Sequence, residues 1–233
     1  MRLAIMQPYL FPYLGYFQLA ASVDRFVVYD DVTFIKNGWI NRNRILLAGA
    51  PHYLTVPLAG ASSSRRIDEV RTQPRERWLG KLLEQLRHAY GRAPQYAPVS
   101  RLVEQVLSDS TDSIARLAAK SVIDTCAYLG LETTFVTTST GYGNEALRSE
   151  ARVIDICARE HASTYVNLPG GRTLYDAGTF AAASIDLEFV DTALPVYPQF
   201  GAPFVPGLSI IDVLMFNHVE SVHAMLSREA ITA

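Results

Sequence analysis

Near the start of the chain, Gln7-Pro8-Tyr9-Leu10-Phe11-Pro12-Tyr13-Leu14-Gly15-Tyr16 places three tyrosines and a glutamine in ten residues. Phenols and an amide supply stacking faces and hydrogen-bond donors. Gly15, where a helix should open, would let an anion approach free backbone N–H groups. The competing reading is that these aromatics only pack the loop. A second dense segment runs from Tyr29-Asp30-Asp31 to Lys36, Trp39, Asn41, Arg42, Asn43 and Arg44. Two adjacent carboxylates can bind Mg²⁺ through water, orient an amine or act as a base. Neighbours on a strand point oppositely, so one of the two should face a site. Lys36, beside Trp39 and two arginines, suits a phosphate or carboxylate; a solvated hairpin with surface ion pairs is the alternative.

Two later segments are weaker signals. Pro169-Gly170-Gly171 with Tyr175 can cradle an anion or simply make a turn, and the turn is favoured. Tyr197 to Asn217 contains Gln199, Ser209 and Asp212. Ser209 reads as a helix N-cap with Asp212 at the capping-box position. The five histidines show no metal-ligand or triad spacing, and no Walker, G-x-G-x-x-G or G-x-S-x-G motif occurs. No metal site is expected.

These residues need a scaffold. Leu3–Met6 is a short apolar run, a helix follows from Gly15 to about Ser22, and Arg25–Tyr29 is a second β-rich run. Strand, helix and strand within about thirty residues is the βαβ signature of a parallel sheet. Its right-handed crossover puts the first loop at the carboxyl ends of the strands, where such sheets bind ligands. Ile40–Leu47 and His52–Leu58 read as a β-hairpin around residues 48–51, and Ala59–Arg66 as a loop. From about 74 to 131 the pattern is helical, an insertion or subdomain with Gly91–Pro98 as its inner linker. Strands are expected at Thr133–Thr137, Thr164–Asn167 and Asp186–Val190, with helices at Asn144–His161 and within Ile210–Leu226. The expectation is one α/β domain over residues 1–233, a mainly parallel Rossmann-like sheet with a β-hairpin and a helical insertion.

Composition narrows the function. A chain of 233 residues with 49% hydrophobic residues can bury a sizeable core. Net charge is −2 and the isoelectric point is near 6.2, which argues against nucleic-acid binding through bulk charge. Only three of the 21 basic residues are lysines. Cys126 and Cys157 lack a C-x-x-C spacing and read as buried, inert thiols. There is no apolar run near the ~20 residues of a membrane span, and the amino terminus does not read as a signal peptide, so a cytoplasmic protein is expected.

Four blocks carry a family resemblance: MQPYLFPYLGYFQL, DRFVVYDDVTFIKNGWINRNRIL, YVNLPGGRTLY and YPQFGAPFVPGLSIIDVLMFN. In this order they resemble the successive blocks of the WbqC-like family, across nearly the whole chain except the helical stretch. The resemblance implies a role in O-antigen or other surface-glycan assembly, or in natural-product pathways. It implies modification of an amine or amino-sugar nucleotide by acyl or aminoacyl transfer. On that reading Asp30 or Asp31 removes the amine proton, and Tyr13, Tyr16 or Lys36 stabilises the oxyanion. Arg42, Asn43 and Arg44 hold a sugar nucleotide's phosphate or a pantetheine arm. Gln7, Pro8, Tyr9, Gly15, Trp39, Asn41, Pro169, Gly170, Gly171, Tyr175, Gln199, Ser209, Asp212 and Asn217 complete the binding surface. The donor would be a phosphopantetheine thioester, on coenzyme A or an acyl carrier protein, or a nucleotide. With no Ser/His or Cys/His pair, direct transfer is expected rather than an acyl-enzyme.

The first block is also similar to the strand–loop–H-x-G-H start of nucleotidyltransferases, with Tyr13 and Tyr16 at the histidine places. Tyrosine donates one neutral hydrogen bond but supplies no imidazolium. An ATP-dependent nucleotidyltransferase or ligase on the same pocket is therefore one alternative. A non-catalytic pathway binding protein is the other.

Overall fold

The computed structural model describes residues 1–201 and 203–226; residue 202 and the last seven residues of the expected 1–233 domain lie outside them. Five strands form one parallel sheet: β1 (Arg2–Met6), β2 (Arg25–Val28), β7 (Thr134–Val136), β8 (Thr164–Asn167) and β9 (Asp186–Phe189). Their order is β7-β2-β1-β8-β9, and every pairing is parallel. The order reverses between β1 and β8, so a topological switch point lies outside the carboxyl ends of those two strands.

Leu3, Ala4 and Ile5 are all buried, which follows from cover on both faces of the sheet. On one face Ala4, Phe26 and Val166 pack against helix α1 (Leu14–Ala21), the insertion helices and the closing helices. On the other, Leu3, Ile5, Val27 and Tyr165 meet Val153, Ile156 and Cys157 of α5 (Ser149–Arg159) and Phe180 of α6 (Ala177–Ala182). Cys126 and Cys157 are free and buried, and desolvation pushes both thiols up to about 12. Such thiols stay protonated at neutral pH and are poor nucleophiles.

The hairpin and the helical insertion both lie inside the connection from β2 to β7. β3 (Arg42–Leu47) pairs antiparallel with β4 (Ala50–Thr55). Their two-residue turn, Ala48-Gly49, has φ of 51° and 77°, the left-handed pair that a tight hairpin turn requires. A smaller ladder joins β5 (Leu58–Ala59) to β6 (Arg71–Thr72). The expected 74–131 stretch comprises α2 (Leu79–Tyr90), α3 (Tyr96–Leu107) and α4 (Ile114–Tyr128). Pro98 falls in the first turn of α3 rather than in the linker, a position where its missing N–H costs nothing. The expected closing helix divides into α7 (Ile210–Phe216) and α8 (Val219–Leu226). Asn217 takes an extended conformation between them, and its amide donates to the Val213 carbonyl at 2.8 Å. Among the described residues no helix is long and apolar enough to cross a membrane.

Candidate functional site

A pocket of about 610 Å³ occupies the switch point. Gln7, Tyr9, Pro12 and Tyr13 of the first loop form one wall, and Asn167 to Gly171 with Tyr175 form the opposite one. Tyr29, Ile35, Trp39 and Asn43 close the β2 side, and Thr192 and Gly207 complete the rim. Gln7, Tyr9, Tyr13, Trp39, Asn43, Pro169, Gly170, Gly171 and Tyr175 thus line one pocket. Among the described residues the lining contains no charged side chain.

The first loop is rigidly held. Phe11 has a φ of 40°, rare for a non-glycine residue, and such strain persists only where surroundings over-determine it. Three side chains from distant segments do so. Ser121 of α4 accepts from the Phe11 N–H at 2.8 Å; Asn43 and Ser209 donate to its carbonyl at 3.0 and 2.6 Å. Asn43 also donates to the Leu10 carbonyl at 3.1 Å, and Ile210 N–H donates to the Pro12 carbonyl at 2.8 Å. Asn43 and Ser209 therefore fix the backbone of the first loop, which forms one wall of the pocket.

The tyrosines divide by role. Tyr16 is 1% exposed, and its hydroxyl donates at 2.8 Å to the Gln7 carbonyl. It anchors the loop from beneath and offers no donor to the pocket. Tyr9 and Tyr13 line the pocket, and burial raises both phenols above the ordinary value of 10.0. Burial also raises Tyr29, against the opposing pull of Arg152. These hydroxyls remain protonated donors at neutral pH. Pro8 is buried behind the loop.

Gly15 is not an open anion cradle. A Cβ there would lie 2.5 Å from Cε2 of Tyr13, so the Tyr13 ring itself covers the helix start. Gly15→Ala should swing that ring away and weaken ligand binding about tenfold. Stability should change by less than about 1 kcal/mol, the scale of the Gly-to-Ala helix gain that offsets the clash. Calorimetric titration beside urea unfolding separates the two effects. Gly171 follows the same logic: a Cβ would sit 2.7 Å from Nδ2 of Asn167. The Gly-Gly pair makes room for the protein's own Asn167, whose amide donates to Tyr165 at 3.0 Å, which supports the turn reading.

The fourth block secures the rim. Ser209 caps α7, accepting from Ile211 N–H at 3.2 Å. The expected capping box is absent, because Ser209 N–H donates instead to the Arg44 carbonyl at 2.8 Å. Asp212 is buried and accepts from Tyr90, Tyr197 and Gln199 at 2.6, 2.7 and 2.7 Å. Gln199 also accepts from the Val205 N–H at 2.9 Å, clasping the segment that leads to Gly207. Neither Gln199, Asp212 nor Asn217 reaches the pocket lining.

The carboxylates are not assembled with the tyrosines. Asp31 accepts from Arg152 and from Ser139, both at 2.5 Å, and Arg152 donates to Asn144 at 2.9 Å. The side chains of this ion pair are 4% and 0% exposed for Arg152 and Asp31, so Asp31 is spent on structure. Asp30 accepts from Thr138 at 2.9 Å and the Ser139 N–H at 3.0 Å, and burial raises its pKa. It borders a separate polar cleft of about 1070 Å³ beneath α4, whose charges include the pairs Lys120–Asp124 at 2.9 Å and Arg71–Asp112 at 3.6 Å. Among the described residues no three His, Cys, Asp or Glu side chains gather as a metal site.

Lys36 is exposed and outside the pocket lining. Arg42 donates to the Asn37 and Gly38 carbonyls and lies 4.3 Å over the Tyr53 ring, while Asn41 ties the hairpin base to Val56 at 2.8 Å. Arg44 sits behind the pocket wall, 5.7 Å from the Trp39 ring and 3.0 Å from the Gly207 carbonyl. Its Nε is buried and has no hydrogen-bond partner among the described residues. Sequence reasoning missed Ser121, Ser139, Arg152, Leu174 and Thr192. Only Arg152 carried a signal: it falls on the apolar stripe of α5, one turn before Ile156.

A Rossmann-like parallel sheet with an aromatic pocket at its switch point defines an α/β protein. The WbqC-like protein family model matches residues 7–224, and the chain belongs to that family. An uncharacterised protein of Mycobacterium tuberculosis is 29% identical over 219 residues, spanning 93% of each chain. No solved structure matches the chain.

Proposed function

We propose that this protein is an enzyme of surface-glycan or natural-product assembly that transfers an acyl or aminoacyl group from a thioester to an amine, such as an amino sugar. The supporting observation is the switch-point pocket, where uncharged donors and aromatic faces meet and the phenols of Tyr9, Tyr13 and Tyr29 are kept protonated by burial. Aromatic faces and amides suit a sugar ring.

In this reading the free amine attacks the thioester carbonyl, whose oxygen becomes an oxyanion. Tyr13 and Tyr9 donate hydrogen bonds to that oxygen. On collapse the C–N bond remains, the C–S bond breaks, and the departing thiolate takes the ammonium proton. No carboxylate base is required, consistent with Asp31 lying in its ion pair and Asp30 on another cleft. Nucleotidyl transfer has less support, because Tyr16, at the second histidine place of H-x-G-H, turns its hydroxyl to Gln7.

A thermal-shift screen of amino-sugar nucleotides, coenzyme A thioesters and Mg-ATP tests the reading, since a ligand at a hundredfold its Kd stabilises by about 2.7 kcal/mol. Stabilisation by the first two is expected; stabilisation by Mg-ATP alone would transfer support to the nucleotidyl reading. The pH profile adds a second check. Phenols donate below their pKa and stop donating as pH rises through it. All three pocket phenols sit above 10.0, so kcat/KM should climb as the amine deprotonates and show no alkaline loss below pH ~10. An alkaline limb near pH 7–8 would point to another group.

A further inference from the structure

From Val32 to Ile67 the chain contains no aspartate or glutamate but five basic residues: Lys36, Arg42, Arg44, Arg65 and Arg66. Among the described residues only Arg66 of these is ion-paired, to Asp68 at 2.9 Å with Glu69 and Glu145 nearby. On a chain of net charge −2, this is a pronounced local excess of positive charge. Part of it flanks the pocket wall: Lys36 stands between Ile35 and Trp39 in the chain, and Arg65 lies beside Phe34, the residue before Ile35, its carbonyl accepting from the Phe34 N–H at 2.9 Å.

The lip of the pocket is also apolar. Ile35, Trp39 and Leu174 line the pocket, yet are 53%, 37% and 67% exposed. Tyr53, 47% exposed, extends the patch through Trp39, 6.4 Å away, and carries Arg42 over its ring. Exposed tryptophan, tyrosine and arginine around an apolar centre is the composition of a protein–protein hot spot. Nucleic-acid interfaces are more polar and far more positive, and an anionic bilayer draws on denser basic tracts than this one.

A protein seated on this lip would cover the pocket mouth and block entry of a free small molecule. The partner must then bring the substrate with it. Resting on the transfer reading above, we infer that the acyl donor is a thioester on the flexible arm of an acidic carrier protein, which docks on Ile35, Trp39, Tyr53 and Leu174 while Lys36, Arg42 and Arg65 meet its carboxylates. The arm enters between Trp39 and Leu174, and the transferred carbonyl reaches Tyr13.

The test is binding of the full chain to an acidic acyl carrier protein in apo and phosphopantetheinylated forms, to coenzyme A, to single-stranded DNA and to anionic vesicles. Phosphopantetheinylated carrier should bind at least about tenfold more tightly than coenzyme A, and salt should weaken it. Arg65→Glu and Tyr53→Ser should each cost about tenfold in carrier affinity, while Arg65→Glu leaves amino-sugar nucleotide affinity unchanged. Coenzyme A binding as tightly as the carrier overturns the inference, as does tighter binding of DNA or vesicles. Absence of carrier binding with amino-sugar nucleotide binding intact also overturns it, leaving the pocket reading standing. Failure of the nucleotide to bind counts against the pocket reading itself.

Discussion

Arg152→Met will destabilise the fold by about 3–5 kcal/mol, the cost of leaving one member of a buried ion pair without its partner. Arg152 and Asp31 are 2.5 Å apart, with side chains 4% and 0% exposed. Coulomb attraction at such a site offsets the desolvation of both groups only while both are present. Methionine fills much of the arginine volume, so lost packing contributes little and the measured change reports the stranded carboxylate. Asp31→Asn/Arg152→Met, which removes both charges, should recover at least half of the loss. Urea unfolding at pH 7 reads both variants; a single-variant loss below about 1 kcal/mol would show that the pair is not closed.

This pair also decides how a loss of turnover in Asp31 variants is to be understood. Asp31→Asn strands Arg152 at the base of Tyr29, whose ring lies 4.9 Å beneath the guanidinium and also lines the pocket. Activity would fall through displacement of Tyr29 and through unfolding, with the pH profile of the remaining folded enzyme unchanged. A lost base would instead remove a limb from that profile.

The parallel sheet was legible because its strands are apolar runs separated by helices, a pattern that admits few topologies. The placement of Gln7–Tyr16 at the carboxyl ends of the strands followed from that pattern; the switch point beside it needed the strand order. The division of labour inside the blocks was not legible. Tyr13 and Tyr16 are three apart on one helix start, yet one faces the pocket and the other the core, because the Pro8–Pro12 loop returns its Gln7 carbonyl beneath α1. Nothing local distinguishes them. Asp30 and Asp31 are also adjacent, and strand alternation predicts that one faces the site, but neither reaches the pocket, because the chain beyond Val28 leaves the sheet and both carboxylates bond Ser139. Asn43 and Ser209 read as ligand contacts because polar residues in turn-rich blocks usually are. Their partners, the backbone of a strained Phe11, exist only after the chain has closed over more than thirty residues on one side and nearly two hundred on the other.

Tyr13→Phe is the substitution that bears most directly on catalysis. Removing one donor to a developing oxyanion costs about 10²–10³ in kcat, and that is the loss expected here. Among the described residues the Tyr13 hydroxyl has no protein acceptor, and it sits in the pocket wall with its ring on Gly15. Deleting it leaves no internal group unpaired, so thermal stability should stay within about 0.5 kcal/mol of the parent. KM should change far less than kcat, since the bond forms to charge that exists only during transfer. Tyr16→Phe is the informative contrast: it breaks the 2.8 Å bond to the Gln7 carbonyl. It should cost about 1 kcal/mol of stability while leaving the pocket's donors in place. If Tyr13→Phe turned over within threefold of the parent, or if Tyr16→Phe proved the slower enzyme, the oxyanion would have to be held by other groups.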